Sequence, residues 1–341
     1  MRITVLVPRR ALDGATKVLG EYAGRLRARG HDVTIVYQRF PTDVGEWLRR
    51  LFHPRVRDAL DDAGCPMVAA GEFTPEVLPD ADVLLTTGFR TVREVAGLPL
   101  EKGRIVEIVN GTLDLGESPS EARDVMALPV RRVAVSEPVA QFLREQFHVE
   151  AAVVPNGVDH AQFQNPDRQF RTPRSVGMIY LDDPVKGNAE GFDAMRQVRH
   201  KWPEVRLVLF GAGRARHAPP RAQVHVRPKT TRLRAIYSSC EIWLAPSRSE
   251  GFGLPVLEAM ACRVVPIATR IGGHAYLVED GVSGFLVPVR DADAMAARIG
   301  LLLEDESLLR KMSESAHARS LQFDWDKSTQ QLEALLGEWT A

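Results

Sequence analysis

No stretch of this sequence holds the ~18 consecutive apolar residues that a membrane-crossing helix needs. Cysteine is scarce: Cys65, Cys240 and Cys262 are odd in number and lack the spacing of metal ligands or of a disulfide framework. Net charge is absent too. Lys and Arg number 44, as do Asp and Glu, and the balance holds locally, with 20 basic and 22 acidic residues up to Pro155 and 24 and 22 beyond it. Neither half has the basic excess of a nucleic-acid binder. His31, His148, His225 and His274 are scattered, without ligand spacing or the partners of a hydrolytic triad. The apolar run at residues 1–7 is too short for the core of a secretion signal. These absences lead to the expectation of a soluble, cytoplasmic protein that binds no metal.

What is present is a long alternation of short apolar runs and amphipathic stretches. Residues 3–7 form a continuous apolar run, the mark of a parallel strand buried on both faces. Residues 15–29 then put Val18, Leu19, Tyr22, Ala23 and Leu26 on one helical face, Gly30 stops the helix, and residues 33–37 make the next strand. Further strands are expected at 67–69, 83–86, 105–109, 132–135 and 151–154. From Pro155 to Pro173 the chain is polar and turn-rich, which reads as a linker. Beyond it strands are expected at 176–180, 205–210, 224–226, 242–246, 264–267 and 284–287. Helices are expected over 188–199, 233–238, 291–303 and 308–320, and Leu332, Leu335, Leu336 and Trp339 stripe a last one. Strand–helix alternation of this kind implies doubly wound parallel sheets, with ligands at the carboxyl ends of the strands. The expected domains are residues 1–155 and 174–324, joined by 156–173.

The chemistry concentrates in Ser249-Glu250-Gly251-Phe252-Gly253-Leu254-Pro255-Val256-Leu257-Glu258. An apolar strand precedes it and helical spacing follows it, with Pro255 suited to the first helical position. Glu258 is therefore expected in the first helical turn and Glu250 in the loop before it, beside N–H groups that favour anions. Gly251 and Gly253 let a ligand approach the backbone. Such a carboxylate can also hold a vicinal diol, so the segment suits a ligand that is sugar at one end and phosphate at the other. The plain alternative is capping and dipole compensation. Lys186-Gly187 lies at another loop-to-helix junction, where a lysine suits a diphosphate. Asp13-Gly14, Thr87-Gly88-Phe89-Arg90 and Asn110-Gly111-Thr112 end strands of the first half, and Gly14 is a candidate for backbone contact with a phosphate.

Written as Glu250-x7-Glu258 with Lys186-Gly187 upstream, the pattern resembles the signature of retaining family-4 glycosyltransferases, the glycosyl transferases group 1, of the GT-B fold. The likeness is dense from about Ala151 to Trp325, where Pro155-Asn156-Gly157-Val158-Asp159 is similar to the family's interdomain stretch. It implies two Rossmann-like domains facing across a cleft, with a C-terminal helix at 325–341 returning to the first. It also implies transfer of a sugar from a nucleotide-diphosphate donor, a UDP- or GDP-sugar first, to an acceptor hydroxyl with retention. Lys186 would clamp the phosphates, Glu250 orient the sugar and Glu258 hold the ribose. The backbone of Gly251, Phe252, Gly253 and Leu254 would cradle the donor, Gly211 would line its site, and Arg227 would flank the base. Asn110 and Arg90 are acceptor-side candidates, the acceptor being a small molecule, a glycan or a lipid-linked molecule. The chain departs from the family in having Met178 where an arginine is usual, so Arg248 or an arginine of the first domain would have to take over. It has Asp13-Gly14 where a glycine pair is usual.

Other readings weigh less. Gly211-Ala212-Gly213-Arg214-Ala215-Arg216 imitates a dinucleotide fingerprint but lacks its third glycine, and Pro219-Pro220 forbids the helix it needs. Asp291-Ala292-Asp293 reads as a helix cap and Asp80-Ala81-Asp82 as the lead into a strand. Thr269-Arg270-Ile271-Gly272-Gly273-His274 reads as a loop. The mixed basic and apolar run from Trp47 to Arg57 fits either a solvated helix and turn or a peripheral contact with anionic lipid. A glycoside hydrolase and a non-catalytic sugar-binding relative of the same fold stay open as alternatives.

Overall fold

The computed structural model describes residues 1–8, 10–11, 13–39, 58–112, 119–170, 174–211, 213, 215 and 217–341. The 47–57 run, Arg9 of the first loop and the Ala212, Arg214 and Arg216 positions lie outside them. The chain folds as two compact units, Met1–Asn156 with Trp325–Ala341, and Gly157–Asp324.

The first unit is built on strands β1 (Arg2–Val7), β2 (Asp32–Gln38), β3 (Met67–Ala70), β4 (Val83–Thr87), β5 (Arg104–Val109), β6 (Arg131–Ala134) and β7 (Ala152–Val153). They lie in the order β3-β2-β1-β4-β5-β6-β7, every pair parallel. The central strands are buried on both faces, which is why they read as unbroken apolar runs rather than alternating ones. Helix Gly14–Ala28 is capped by Asp13, which accepts from Thr16 N at 2.8 Å. Its inner face carries Val18, Leu19, Tyr22 and Leu26. Helix Trp325–Thr340 packs on it, with the Tyr22 and Trp325 rings edge to face at 5.4 Å. Glu333 there accepts from Arg29 at 2.6 Å and pairs with His31 at 2.8 Å.

The second unit holds β8 (Ser175–Tyr180), β9 (Arg206–Gly211), β10 (Ala222–Val226), β11 (Ile242–Ala245), β12 (Val265–Thr269) and β13 (Phe285–Val287). The order is β10-β9-β8-β11-β12-β13, again all parallel. Val176, Met178, Leu207, Leu209, Ile242, Leu244, Val265 and Ile267 form the sheet's share of one core, closed by Met195, Ile299 and Met312 from the helices. The chain enters and leaves this unit side by side: Val158 N donates to Phe323 O at 3.3 Å, and Val158 bridges to Asp324.

Both sheets bear out the doubly wound reading, and two local expectations are corrected. Residues 272–277 are a helix, Gly272–Leu277, not a loop. The glycine pair misleads because its second member serves close approach: a Cβ on Gly273 would lie 2.7 Å from both Glu250 O and Phe252 N. Helix Leu254–Ala261 starts one residue ahead of Pro255, so Glu258 opens its second turn and no acidic residue occupies the first. Among the described residues no helix is long and apolar enough to cross a membrane, and no cluster of His, Cys, Asp or Glu could hold a metal ion.

Candidate active site

In an open parallel sheet the chain leaves the central pair of strands in opposite directions, and the loops there part to leave room for a ligand. In the second unit that point lies between β8 and β11. Lys186 follows β8 and Glu250 follows β11, so the strand order itself brings the two together.

Local structure then sets the distance. After β8 the chain makes a 3-10 turn, Pro184–Lys186, started by Asp183, whose carboxylate accepts from Val185 N at 2.9 Å. Gly187 ends the turn at φ 64°, and a Cβ there would lie 2.1 Å from Pro246 O of the β11 loop. Only glycine fits such an approach. Arg248 N donates to Val185 O at 2.7 Å, so the two loops are joined backbone to backbone. Lys186 Nζ consequently reaches Glu250 Oε1 at 2.8 Å. Ser247 Oγ donates to the same oxygen at 2.9 Å. Both partners of the ion pair keep about a fifth of the side chain exposed, 21% and 20%.

Behind the pair lies a buried polar layer. Thr269 Oγ1 donates to Ser247 O, and His274 Nδ1 lies 3.1 Å from Thr269 O and 3.2 Å from its hydroxyl. Burial lowers the His274 imidazole below its ordinary value; the charge of Glu250 works against this and that of Lys186 with it. Gly273 N donates to Glu250 O at 3.3 Å, pinning the backbone of the loop that carries the carboxylate.

Glu258 is buried, and Tyr237 Oη donates to its Oε2 at 2.6 Å. Gly251 and Gly253 are buried in the same loop, Gly253 at φ 98° as the helix cap. The Phe252 side chain belongs to the core, packed between Tyr276 and Phe323, so only its backbone is available for the chemistry expected of it. Leu254 is likewise buried as the first helical residue. Gly211 ends β9, and a Cβ on it would lie 1.7 Å from Tyr180 O. Arg227 sits just past β10 at φ 46° and donates its backbone N–H to Gly211 O at 2.8 Å. Thus Gly211, Lys186, Glu250 and Gly273 lie at the carboxyl ends of β9, β8, β11 and β12, four neighbouring strands.

Met178, at the position where the resemblance calls for an arginine, is wholly buried under helix Asn188–Lys201. Arg248 lies near Lys186 and bonds Glu190 Oε1 at 2.6 Å. Burial would raise the Glu190 carboxyl, but that bond and a backbone N–H bring it below its ordinary value.

Gly14, Arg90 and Asn110 belong to the first unit and follow β1, β4 and β5, three adjacent strands. A Cβ on Gly14 would meet nothing within 4 Å, so sterics do not demand glycine there. Arg90 is exposed on helix Phe89–Val95, over the Phe89 ring and 3.8 Å from Glu121. Asn110 Nδ2 donates to Thr87 Oγ1 at 2.8 Å. Asp291 caps helix Ala292–Glu304 through Ala294 N, as its sequence context indicates, and Asp80, which leads into β4, accepts from Lys102. Ser247 and Tyr237 carry roles that sequence reasoning misses. Ser247 has one signal, a polar residue between an apolar strand and the glutamate three places on. Tyr237 has none, because an aromatic on an amphipathic helix reads as core.

Both halves of the chain match known protein families. Residues 166–319 match the model for glycosyl transferases group 1, and residues 12–162 match that for glycosyltransferase family 4. A phosphatidyl-myo-inositol mannosyltransferase of Mycolicibacterium smegmatis is 30% identical over 221 residues, 60% of this chain and 56% of that protein. A D-inositol 3-phosphate glycosyltransferase of Acidothermus cellulolyticus is 29% identical over 270 residues, 68% of this chain and 59% of that protein. The chain thus matches less than two thirds of either relative's length. Among solved structures, Anabaena HepE with UDP-glucose superposes with a TM-score of 0.81 at 19% identity, over 99% of this chain and 100% of that one. Sucrose-phosphate synthase of Thermosynechococcus elongatus gives 0.78 at 17% identity, over 99% of each chain. At these identities the structural likeness speaks to fold.

Proposed function

Given that the chain is a GT-B-fold homologue of the group 1 and family 4 glycosyltransferases, we propose that it transfers a sugar from a nucleotide-diphosphate donor to an acceptor hydroxyl. The observation that carries this reading is the Lys186–Glu250 pair, 2.8 Å apart at the switch point of the second sheet. One charge suits the diphosphate and the other the sugar, and in a donor those two groups are joined by the bond to be broken. That bond, between the anomeric carbon and the phosphate oxygen, breaks with its electrons leaving on the diphosphate. The acceptor oxygen bonds to the same carbon, and its proton passes to the departing phosphate oxygen on the same face, giving retention.

Lys186 stabilises the diphosphate as its charge grows, which is catalysis by a charge already in place. No step in this scheme calls on a metal ion. Glu250 holds sugar hydroxyls and lends negative charge to the oxocarbenium-like carbon. Glu258 takes the ribose, and the backbone of residues 251–254 lies along the donor. The names of the relatives put inositol phosphates and inositol lipids first among acceptors to try. A cytoplasmic setting belongs to the same proposal and agrees with three free, buried cysteines.

The test is release of nucleotide from UDP-, GDP-, ADP- and dTDP-sugars, with and without inositol phosphate, by the wild type and by Glu250→Ala and Lys186→Ala. One donor should be turned over, and each variant should lose about 10²-fold or more in kcat. Nucleotide binding with no turnover of any donor would favour the non-catalytic alternative. Failure to bind any nucleotide would end the proposal.

A further inference from the structure

Glu258 lies where a carboxylate is costly, 5% exposed on a helix whose other buried residues are apolar. A carboxylate in such a place needs hydrogen-bond donors in fixed positions. The phenol of Tyr237 is one, and at 2.6 Å its bond to Oε2 has the shortness of a charge-assisted hydrogen bond. Tyr237 is wholly buried, and among the described residues its hydroxyl makes no other hydrogen bond.

The ring that carries this hydroxyl is boxed. Phe163 and Phe210 meet it edge-on at 6.0 and 5.4 Å between centroids, and Trp243 lies at 4.6 Å. These neighbours come from helix His160–Phe163, β9 and β11, so three separate elements aim one phenol at one carboxylate oxygen. Phenylalanine would fill the same box. The hydroxyl adds only its bond to Glu258, and without that acceptor its burial would be unfavourable. Burial, reinforced by the charge of Glu258, holds the phenol well above its ordinary value, so it remains a donor across the neutral range.

We infer that Tyr237 is the positioning residue of the ribose site, fixing the plane of the Glu258 carboxylate so that it accepts from ribose hydroxyls and discriminates against 2′-deoxyribonucleotides. The inference rests on the proposed role of Glu258. It makes dTDP-sugars poor donors.

Calorimetric titration of the full chain with UDP, GDP and ADP identifies the tightest binder, which is then compared with its 2′-deoxy form. The wild type should prefer the ribonucleotide by about tenfold, the worth of one hydrogen bond to a charged group. Tyr237→Phe should bring that ratio to about twofold or less and leave 2′-deoxy binding unchanged. A tyrosine that merely packs would give either an unchanged ratio or equal weakening of both forms, and each result overturns the inference while nucleotide binding, and with it the proposed function, stands. A wild type that binds both forms alike overturns it as well. Should Tyr237→Phe fail to fold, Phe163→Leu loosens the box around the ring while keeping the phenol and Glu258, and should lower the preference too; a preference kept there overturns the inference. Binding of no nucleotide takes the proposed function and the inference down together.

Discussion

Glu250 Oε1 receives two donors, an ammonium at 2.8 Å and a hydroxyl at 2.9 Å. They differ in what a diphosphate would do to them. Lys186 would share its charge with an arriving phosphate, whereas the Ser247 hydroxyl is neutral and buried and has no such competitor. Ser247 therefore keeps the carboxylate aimed while the lysine turns to the donor. Ser247→Ala is expected to lower kcat for donor hydrolysis by about tenfold, with the donor KM within about twofold, as steady-state kinetics would show. A change in KM alone would mean that Ser247 serves binding. The two glutamates stand out in the sequence because eight-residue spacing and flanking glycines survive as a pattern. The serine leaves only a lone polar residue three places before Glu250, and the tyrosine acts between two helices, so neither forms a pattern of its own. Glu258 lies one residue deeper in its helix than the sequence suggests, because Pro255 fits the second helical position as well as the first.

Helices hold the first unit together in a way that one sequence conceals. Leu332 and Leu336 mark an inward face on helix Trp325–Thr340, and that stripe is legible. Nothing in it says that the partner is helix Gly14–Ala28, at the other end of the chain. Trp325 is 1% exposed and closes against Tyr22. Trp325→Ala should destabilise the first unit by about 3–5 kcal/mol, the usual cost of such a truncation. In urea, followed by circular dichroism, its transition should move while that of residues 157–324 stays in place. The opposite failure of legibility occurs at helix Gly272–Leu277. Two adjacent glycines are poor helix formers, and the use of Gly273, letting the Glu250 loop lie against the helix backbone, is visible only once both are folded.

Across the whole molecule, strand–helix alternation makes the two parallel sheets readable, but not the order of their strands. That β11 lies beside β8 is a property of the finished sheet, and it is what joins Lys186 to Glu250. Three histidines carry a further property of the whole. Burial lowers His225, His274 and His317 below their ordinary value of 6.5, so the fold holds them neutral. The unfolded chain takes up protons first as pH falls. The stability is thus full above about pH 6.5 and drains as pH falls from there toward the depressed native values. The melting temperature should decline between about pH 7 and pH 5, ahead of the carboxylates. Differential scanning calorimetry of His274→Asn should show a shallower decline, and an unchanged slope would exclude this histidine as a contributor.

The second unit opens at Gly157 and closes at Asp324, and these two ends are paired through Val158. In the language of genes, codons 157–324 are a parenthesis within a sentence that resumes with its own last helix. Such a segment can be traded between relatives as one contiguous cassette, with the seams beside each other and the remaining reading frame intact. Donor preference, in the proposed function, would travel with the cassette, and acceptor choice would stay behind.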